Sequence, residues 1–271
     1  MQKVFDIELK LLLEGIYQCY QQDFRSYSPA SLRRRMRLAM NRLECHSLSQ
    51  LQDKVLHDPA VFAQMMNYLT VQVSEMFRDP GYYRALREQV LPVLKTYPSL
   101  KIWIAGCSRG EEVWSLVILL REEGLLERSL VYATDINPHA LQAAEAGIYD
   151  LDRVAHYSSN YLQAGGQASL ADYYTAAYGG VRFDPELKRN VVFADHSLAT
   201  DMVFAETHLV CCRNVLIYFN STLQQRALGL FRNSLVRRGF LGLGARESLR
   251  YSAVADQFQE VVPGERIYRL I

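Results

Sequence analysis

Residues 102 to 112, Ile-Trp-Ile-Ala-Gly-Cys-Ser-Arg-Gly-Glu-Glu, run an apolar strand into a glycine-bearing turn and on into an acidic helix start. A second apolar run closes on Tyr132-Ala-Thr-Asp135. A buried parallel strand, a turn whose glycines admit close approach of backbone to a ligand, and a carboxylate at the tip of the next strand make a βαβ nucleoside pocket. In such a pocket Gly106 lines the turn and Asp135 faces the ribose hydroxyls. The spacing is Gly106-x-x-x-Gly110 rather than G-x-G-x-x-G, and Glu111 and Glu112 stand where a diphosphate needs an uncrowded positive helix end. This argues against a dinucleotide. A cofactor with adenosine at one end and a cationic or zwitterionic group at the other, S-adenosylmethionine for instance, tolerates both acids and can use one of them. The same glycine spacing also occurs in plain strand–helix connections.

The elements that must position these groups alternate. Apolar runs at 101–106, 129–134, 207–212 and 239–244 read as strands, with helical stretches at 111–123, 137–147 and 221–236 between them. That order predicts a mostly parallel, doubly wound sheet, closed at its edge by a hairpin in Glu260–Ile271. Residues 1 to about 75 read as helices instead. Val4, Ile7, Leu11, Ile16 and Tyr20 follow roughly helical spacing, and Leu32, Met36, Met40 and Leu43 repeat at i+4, i+4, i+3. Ser28-Pro29 and Asp58-Pro59 carry a polar cap followed by proline at the first helical position, the latter opening a helix towards Met76. Residues 150–190, rich in tyrosine, serine and glycine, fit neither texture. They read as an inserted subdomain: a lid, a binding loop or a small separate sheet.

Composition narrows the function classes. A chain of 271 residues with 49% hydrophobic content can build one large or two small cores. Formal net charge is +1, which gives no global attraction to nucleic acid or membrane. The five cysteines, 19, 45, 107, 211 and 212, include no C-x-x-C pair, so neither a disulfide framework nor a structural zinc site is expected. The histidines are scattered without an i+4 pair, and no metal is expected. No leader pattern opens the chain and Leu11-Leu12-Leu13 is too short for a span, so a cytoplasmic location is expected.

A third strand end carries Val210-Cys-Cys-Arg213-Asn214-Val-Leu-Ile-Tyr218-Phe219. Carboxyl ends of strands line the ligand crevice of an open α/β sheet, which makes Arg213, Asn214 and Tyr218 site candidates. Equally, a tyrosine there can simply anchor a loop. The paired cysteines read as small core residues on opposite strand faces.

Six ordered motifs now carry a resemblance. They are Val73-Ser-Glu-Met-Phe-Arg78-Asp-Pro80, Gly106-Cys-Ser-Arg-Gly-Glu-Glu112, Ala133-Thr-Asp135-Ile-Asn137, Ala146-Gly-Ile-Tyr149, Cys212-Arg-Asn-Val-Leu-Ile-Tyr-Phe219 and Gly239-Phe-Leu-Gly-Leu-Gly-Ala-Arg-Glu-Ser248. Nearly end to end, the chain resembles chemotaxis receptor methyltransferases of the CheR type. The resemblance implies transfer of a methyl group from S-adenosylmethionine to glutamate side chains of methyl-accepting chemotaxis receptors. It implies an α/β, doubly wound Rossmann-like methyltransferase sheet with an N-terminal all-helical domain (1–75), a cofactor-binding domain (76–271) and a small inserted subdomain (150–190). Carried over by position, it puts Ser74 and Arg78 at the methionine end of the cofactor, Glu111 near its amino group, Asp135 on the ribose, and Gln72 and Gly106 among the other cofactor-binding residues. Ser197-Leu198 falls by the adenine, Arg213-Asn214 on the next strand, and Tyr218 beside the transferring methyl. Arg78 and Tyr218 are the expected catalytic pair. Four departures stand out: Gln72 where many relatives have Asn, Arg109 for Thr, Ser197 for Asn, and Ala245-Arg246 for His-Ser.

Arg25, Arg33, Arg34, Arg35, Arg37 and Arg42 lie in a stretch with no acid between Phe24 and Leu43. The plain reading is a solvated helix face. The resemblance implies that Arg33, Arg34, Arg35, Arg37 and Arg42 dock on the acidic cytoplasmic helical bundle of a receptor, with the inserted subdomain a candidate for a receptor's C-terminal tail. A non-catalytic S-adenosylmethionine sensor or docking module of the same fold is the other class the sequence admits.

Overall fold

Helices come first, as the periodicity requires. A computed structural model describes residues 2–70 and 72–271, and places α1 (Gln2–Tyr20), α2 (Pro29–Arg42), α3 (Leu48–His57) and α4 (Pro59–Leu69) before any strand. The Ser47 and Asp58 side chains accept the backbone N–H of Gln50 and Ala60 at the starts of α3 and α4, with Pro59 at the first helical position. The fourth helix stops at Leu69, short of Met76, where Thr70 turns extended. The buried stripe of α1 is Leu9, Leu12, Leu13 and Ile16, whereas Val4, Ile7 and Leu11 are exposed. With apolar residues on two of its faces, α1 carries two overlapping helical repeats, and periodicity alone cannot say which one faces inward.

The chain divides into two compact units. One comprises residues 1–72 together with 197–201 and 217–227. Within it Ser28 N–H donates to the Tyr218 carbonyl at 2.7 Å, Asn220 N–H donates to the Ser26 carbonyl at 3.0 Å, and Tyr27 bridges Phe219.

The other unit, 73–196, 202–216 and 228–271, holds the sheets. It opens with α5 (Pro80–Ala85), a π-helical turn (Leu86–Val90) and α6 (Leu91–Leu94). Then follow β1 (Leu100–Ala105), α7 (Glu111–Glu122), β2 (Ser129–Asp135), α8 (Pro138–Ala146), β3 (Ile148–Asp150), α9 (Val154–Gln163), β4 (Tyr174–Ala177), β5 (Gly180–Phe183), β6 (Val191–Asp195), β7 (Thr207–Cys212), α10 (Ser221–Ser234), β8 (Leu235–Leu243), β9 (Phe258–Val262) and β10 (Ile267–Leu270). Seven strands order as β6-β2-β1-β7-β8-β10-β9. The first five run parallel, and the β9–β10 hairpin closes the edge antiparallel. Residues 148–183 form a separate three-stranded antiparallel sheet, β3-β5-β4, with α9 in the same stretch.

Between β1 and β7 the strand order reverses, so loops leave β1 and β7 on opposite faces and a crevice opens at their carboxyl ends. The helix that follows β1 is anchored in the core. Val113, Trp114, Leu116, Val117, Ile118, Leu119 and Leu120 of α7 are all buried, leaving its N-terminus fixed at that crevice. Cys211 and Cys212 are buried in β7, with the Tyr82 hydroxyl donating to Cys211 Sγ, and burial pushes the Cys211 thiol up to about 12. Both act as small core residues. Among the described residues no helix is long and apolar enough to cross a membrane.

Candidate cofactor site

The turn after β1 is tied to the tip of β2. Gly106 and Cys107 N–H groups both donate to the Thr134 carbonyl at 2.8 Å, and Ser108 N–H donates to Asp135 Oδ2 at 2.8 Å. Asp135 Oδ1 accepts from Asn137 N–H at 3.0 Å, and Asn137 in turn caps α8. Two turn positions require glycine. Gly106 has φ +76 and a Cβ there would come within 2.5 Å of Val215, while Gly110 has φ +93 and its Cβ would press on Ala144 at 2.8 Å. Asp135 is 9% exposed, and burial holds its carboxyl above the ordinary 3.8 although backbone N–H groups of Asn137, Ser108 and Ile136 pull it back.

Glu111 opens α7 and is fully buried. Burial raises its pKa, opposed by Arg153 and Arg109. Its Oε1 meets Arg153 Nη1 at 3.2 Å, and its Oε2 is buried without a hydrogen-bond partner. Arg109 is exposed, and its charge is felt by Glu111.

Residues 74–79 are held by side chains from four other places in the same unit. Arg153 Nη2 donates to the Ser74 carbonyl at 2.6 Å, and Asn160 Nδ2 donates to the Met76 carbonyl at 3.1 Å. Phe77 N–H donates to Ser115 Oγ at 2.8 Å, and that hydroxyl itself donates to the Glu111 carbonyl at 2.7 Å. Arg213 Nη2 donates to the Arg78 carbonyl at 2.8 Å and pairs with Asp79 Oδ2 at 2.9 Å. Phe77 and Asp79, flanking Arg78, sit at φ +51 and +55, a left-handed strain that this set of bonds sustains.

Arg213 itself is 1% exposed at its side chain, its guanidinium 4.1 Å from the Tyr82 ring centre and 3.6 Å from Glu112 Oε2. Burial opposes its charge, but Glu112, Tyr83, Tyr82 and Asp79 more than offset that and raise its pKa. Burial also raises Glu112, against the pull of Arg213. Asn214 takes φ +61, and its N–H donates to Glu247 Oε2 at 3.0 Å, which also accepts from Gly244 N–H at 2.7 Å. Ala245 and Arg246 beside it are exposed.

One unit therefore gathers Ser74, Arg78, Gly106, Glu111, Asp135, Arg213 and Asn214 through the ends of β1, β2 and β7. Gln72, Ser197, Leu198 and Tyr218 belong to the helical unit. There Gln72 Nε2 donates to Thr70 Oγ1 at 2.9 Å, Ser197 N–H donates to Asp201 Oδ2 at 2.8 Å, Leu198 is buried, and Tyr218 is half-buried in the field of Arg35. Of the basic helix, Arg33 pairs with Asp6 at 2.8 Å and Arg35 is half-buried, while Arg34, Arg37 and Arg42 are exposed. Arg153, Asn160, Ser115 and Glu247 are positioning groups that sequence reasoning did not pick out. Only Glu247 carried a local signal, lying inside the quoted Gly239–Ser248 motif.

A parallel sheet with its switch point at β1/β7, a glycine turn and a carboxylate on the tip of β2 defines a nucleoside-cofactor-binding α/β protein. The donor set suits S-adenosylmethionine: a buried carboxylate with one open oxygen for an ammonium, a strand-tip carboxylate for a diol, and a half-buried arginine for a carboxylate. The chain belongs to the CheR methyltransferase family. Its residues 72–264 match that family's S-adenosylmethionine-binding domain and 7–70 its all-alpha domain. It is 58% identical to the "Putative methyltransferase Cher3" of Pseudomonas putida over 97% of both chains. It is 29% identical to chemotaxis protein methyltransferase 1 of Pseudomonas aeruginosa over 87% of both chains, and 26% identical to the chemotaxis protein methyltransferase of Listeria monocytogenes over 84% of both.

Proposed function

We propose that this protein methylates glutamate side chains of methyl-accepting chemotaxis receptors, yielding glutamyl methyl esters and S-adenosylhomocysteine. The observation that carries the reading is the pair of buried carboxylates at the carboxyl ends of the sheet, Glu111 with an open oxygen and Asp135 fixed by backbone N–H groups. When bound, S-adenosylmethionine supplies a methyl group activated on a sulfonium. Glu111 binds its ammonium, Asp135 its ribose hydroxyls, and Arg78, with Ser74, its methionine carboxylate. Gly106 and Asn214 complete the cradle within the sheet-bearing unit, and Gln72, Ser197 and Leu198 of the helical unit are assigned to the cofactor by family resemblance. Arg213 holds the Arg78 backbone from within.

An acceptor glutamate is ionised at neutral pH, so the chain needs no strong base. Its residues align the acceptor and exclude water that would stabilise the separated charges. Arg78 and Tyr218 are assigned that work, Arg78 steering the carboxylate and Tyr218 orienting the methyl. The exposed Arg34, Arg37 and Arg42 of α2 supply positive charge for an acidic receptor bundle. The small sheet, in which β4 pairs with β5 on one side only, offers an extended receptor tail a strand edge.

The test is transfer of radiolabelled methyl from S-adenosylmethionine to a purified receptor cytoplasmic fragment, followed by mild alkali. Methyl esters release methanol in alkali; methylated nitrogen does not. Base-labile label that disappears with Asp135→Ala is the expected result. Cofactor binding without any transfer would instead make the protein a sensor or docking module, and base-stable label would move it to another acceptor.

A further inference from the structure

Arg153 closes the short turn just before α9, in the stretch that builds the small sheet. Its two terminal nitrogens divide their work. Nη1 lies 3.2 Å from Glu111 Oε1, and Nη2 donates to the Ser74 carbonyl at 2.6 Å. The guanidinium also lies 5.2 Å from the Tyr157 ring centre, which limits its freedom to swing away. One cation thus joins the start of α7 to the segment that ends in Arg78.

The division matters because a guanidinium facing a carboxylate usually takes both oxygens in a parallel fork. Here one arm of the fork goes to a carbonyl. Glu111 Oε2 is left buried and without a hydrogen-bond partner, although Glu111 is fully enclosed. A buried carboxylate of that kind needs a nearby cation to remain charged and a fixed geometry to be of use to a ligand. The charged and titratable groups around Glu111 are Arg153, Arg109 of the turn, Cys107, Tyr149 of β3 and Tyr157 of α9. Of these only Arg153 makes a hydrogen bond to the carboxylate.

We propose that Arg153 is a positioning residue for the amino-acid end of the cofactor, holding Glu111 by one oxygen so that the other is left unpaired for the ammonium, and drawing the Ser74 backbone to the same point. The proposal rests on the reading that Glu111 receives that ammonium. It makes the inserted segment a contributor to cofactor binding, in addition to any part it plays with a receptor.

The experiment is calorimetric titration of the full chain with S-adenosylhomocysteine and with methylthioadenosine, which keeps the nucleoside and lacks the amino-acid end. Arg153→Gln should weaken S-adenosylhomocysteine by about tenfold, the worth of one hydrogen bond to a charged group, and leave methylthioadenosine unchanged. Arg153→Lys, which keeps the charge without the fork, should recover part of the loss. Equal weakening of both ligands, or of neither, overturns the proposal while the cofactor reading stands. If the unaltered protein binds neither ligand, the cofactor reading falls and the proposal falls with it.

Discussion

The turn that starts α7 offers a test of how its geometry is enforced. Gly110 and Gly264 share the same φ of +93, but a Cβ at Gly110 would sit 2.8 Å from both Cα and Cβ of Ala144, whereas one at Gly264 would have nothing within 4 Å. Replacing either with alanine puts a side chain into left-handed backbone, at about 1–2 kcal/mol. Gly110→Ala adds overpacking against a helix backbone that cannot rotate out of the way, about 1–3 kcal/mol more. The expected totals are about 2–5 kcal/mol for Gly110→Ala and about 1–2 kcal/mol for Gly264→Ala. Both positions lie in the sheet-bearing unit, so the comparison is made within one compact body. Urea unfolding of the cofactor-free protein, followed by circular dichroism, reads both differences on a total stability of about 5–15 kcal/mol. Gly110 precedes Glu111 directly, so the crowded variant should also lose S-adenosylhomocysteine affinity, and Gly264→Ala should keep it. Equal destabilisation by the two substitutions would refute the argument that α8 crowds the turn, and full cofactor affinity in Gly110→Ala would refute its link to Glu111.

Burial holds Glu111 above its ordinary 4.5, so the folded protein binds that proton more tightly than the unfolded chain does. Its contribution to stability therefore declines as pH rises from 4.5 through the raised folded value. Without cofactor, Glu111→Gln should melt above the unaltered protein at neutral pH, with the gap closing as pH falls toward 4.5 in thermal scans. Arg213→Met should destabilise by about 3–5 kcal/mol because Glu112 stays buried without its cation, and adding Glu112→Gln should recover part of that in a urea double-mutant cycle. Reversing the exposed Arg34 and Arg37 to Glu should slow receptor methylation, more at low salt than at high, and leave S-adenosylhomocysteine titrations unchanged.

What the sequence made legible was local. The helical period of residues 32–43, the apolar runs of β1, β2 and β7, and the strand-tip Asp135 all announce themselves within a few residues. Less legible was β6, whose Val191, Phe193 and Ala194 are half-buried or exposed because it is an edge strand and lacks the continuous apolar face of its neighbours. The start of β8 was also misplaced. Its first residue, Leu235, pairs with Thr207 across a register shift, whereas the helical texture of α10 runs on through it in the sequence. The glycine turn marked Glu111 and Glu112 together and the family resemblance singled out Glu111, but what surrounds it was not legible. Arg153 reaches Ser74 across 79 residues of chain and Arg213 reaches Asp79 across 134, separations at which no spacing rule applies. In the α1 stripe Ile16 was placed rightly and Val4, Ile7 and Leu11 on the wrong face, since only packing decides between two adjacent apolar repeats.

The helical unit includes residues 197–201 and 217–227 as well as 1–72, with Ser26 and Ser28 hydrogen-bonded to the backbone around Tyr218. A boundary drawn at residue 70 by family resemblance is therefore no boundary for the polypeptide during synthesis. Domains ordinarily fold in the order in which they leave the ribosome, but here the loop at residues 26–28 must wait for residues 218–220 before these backbone partners exist. Most of the sheet-bearing unit is translated inside that interval. The helical unit is thus begun first yet left open through most of the synthesis of the other, and a fragment ending near residue 72 lacks the stretch around Tyr218 to Asn220 that the Tyr27 loop pairs with.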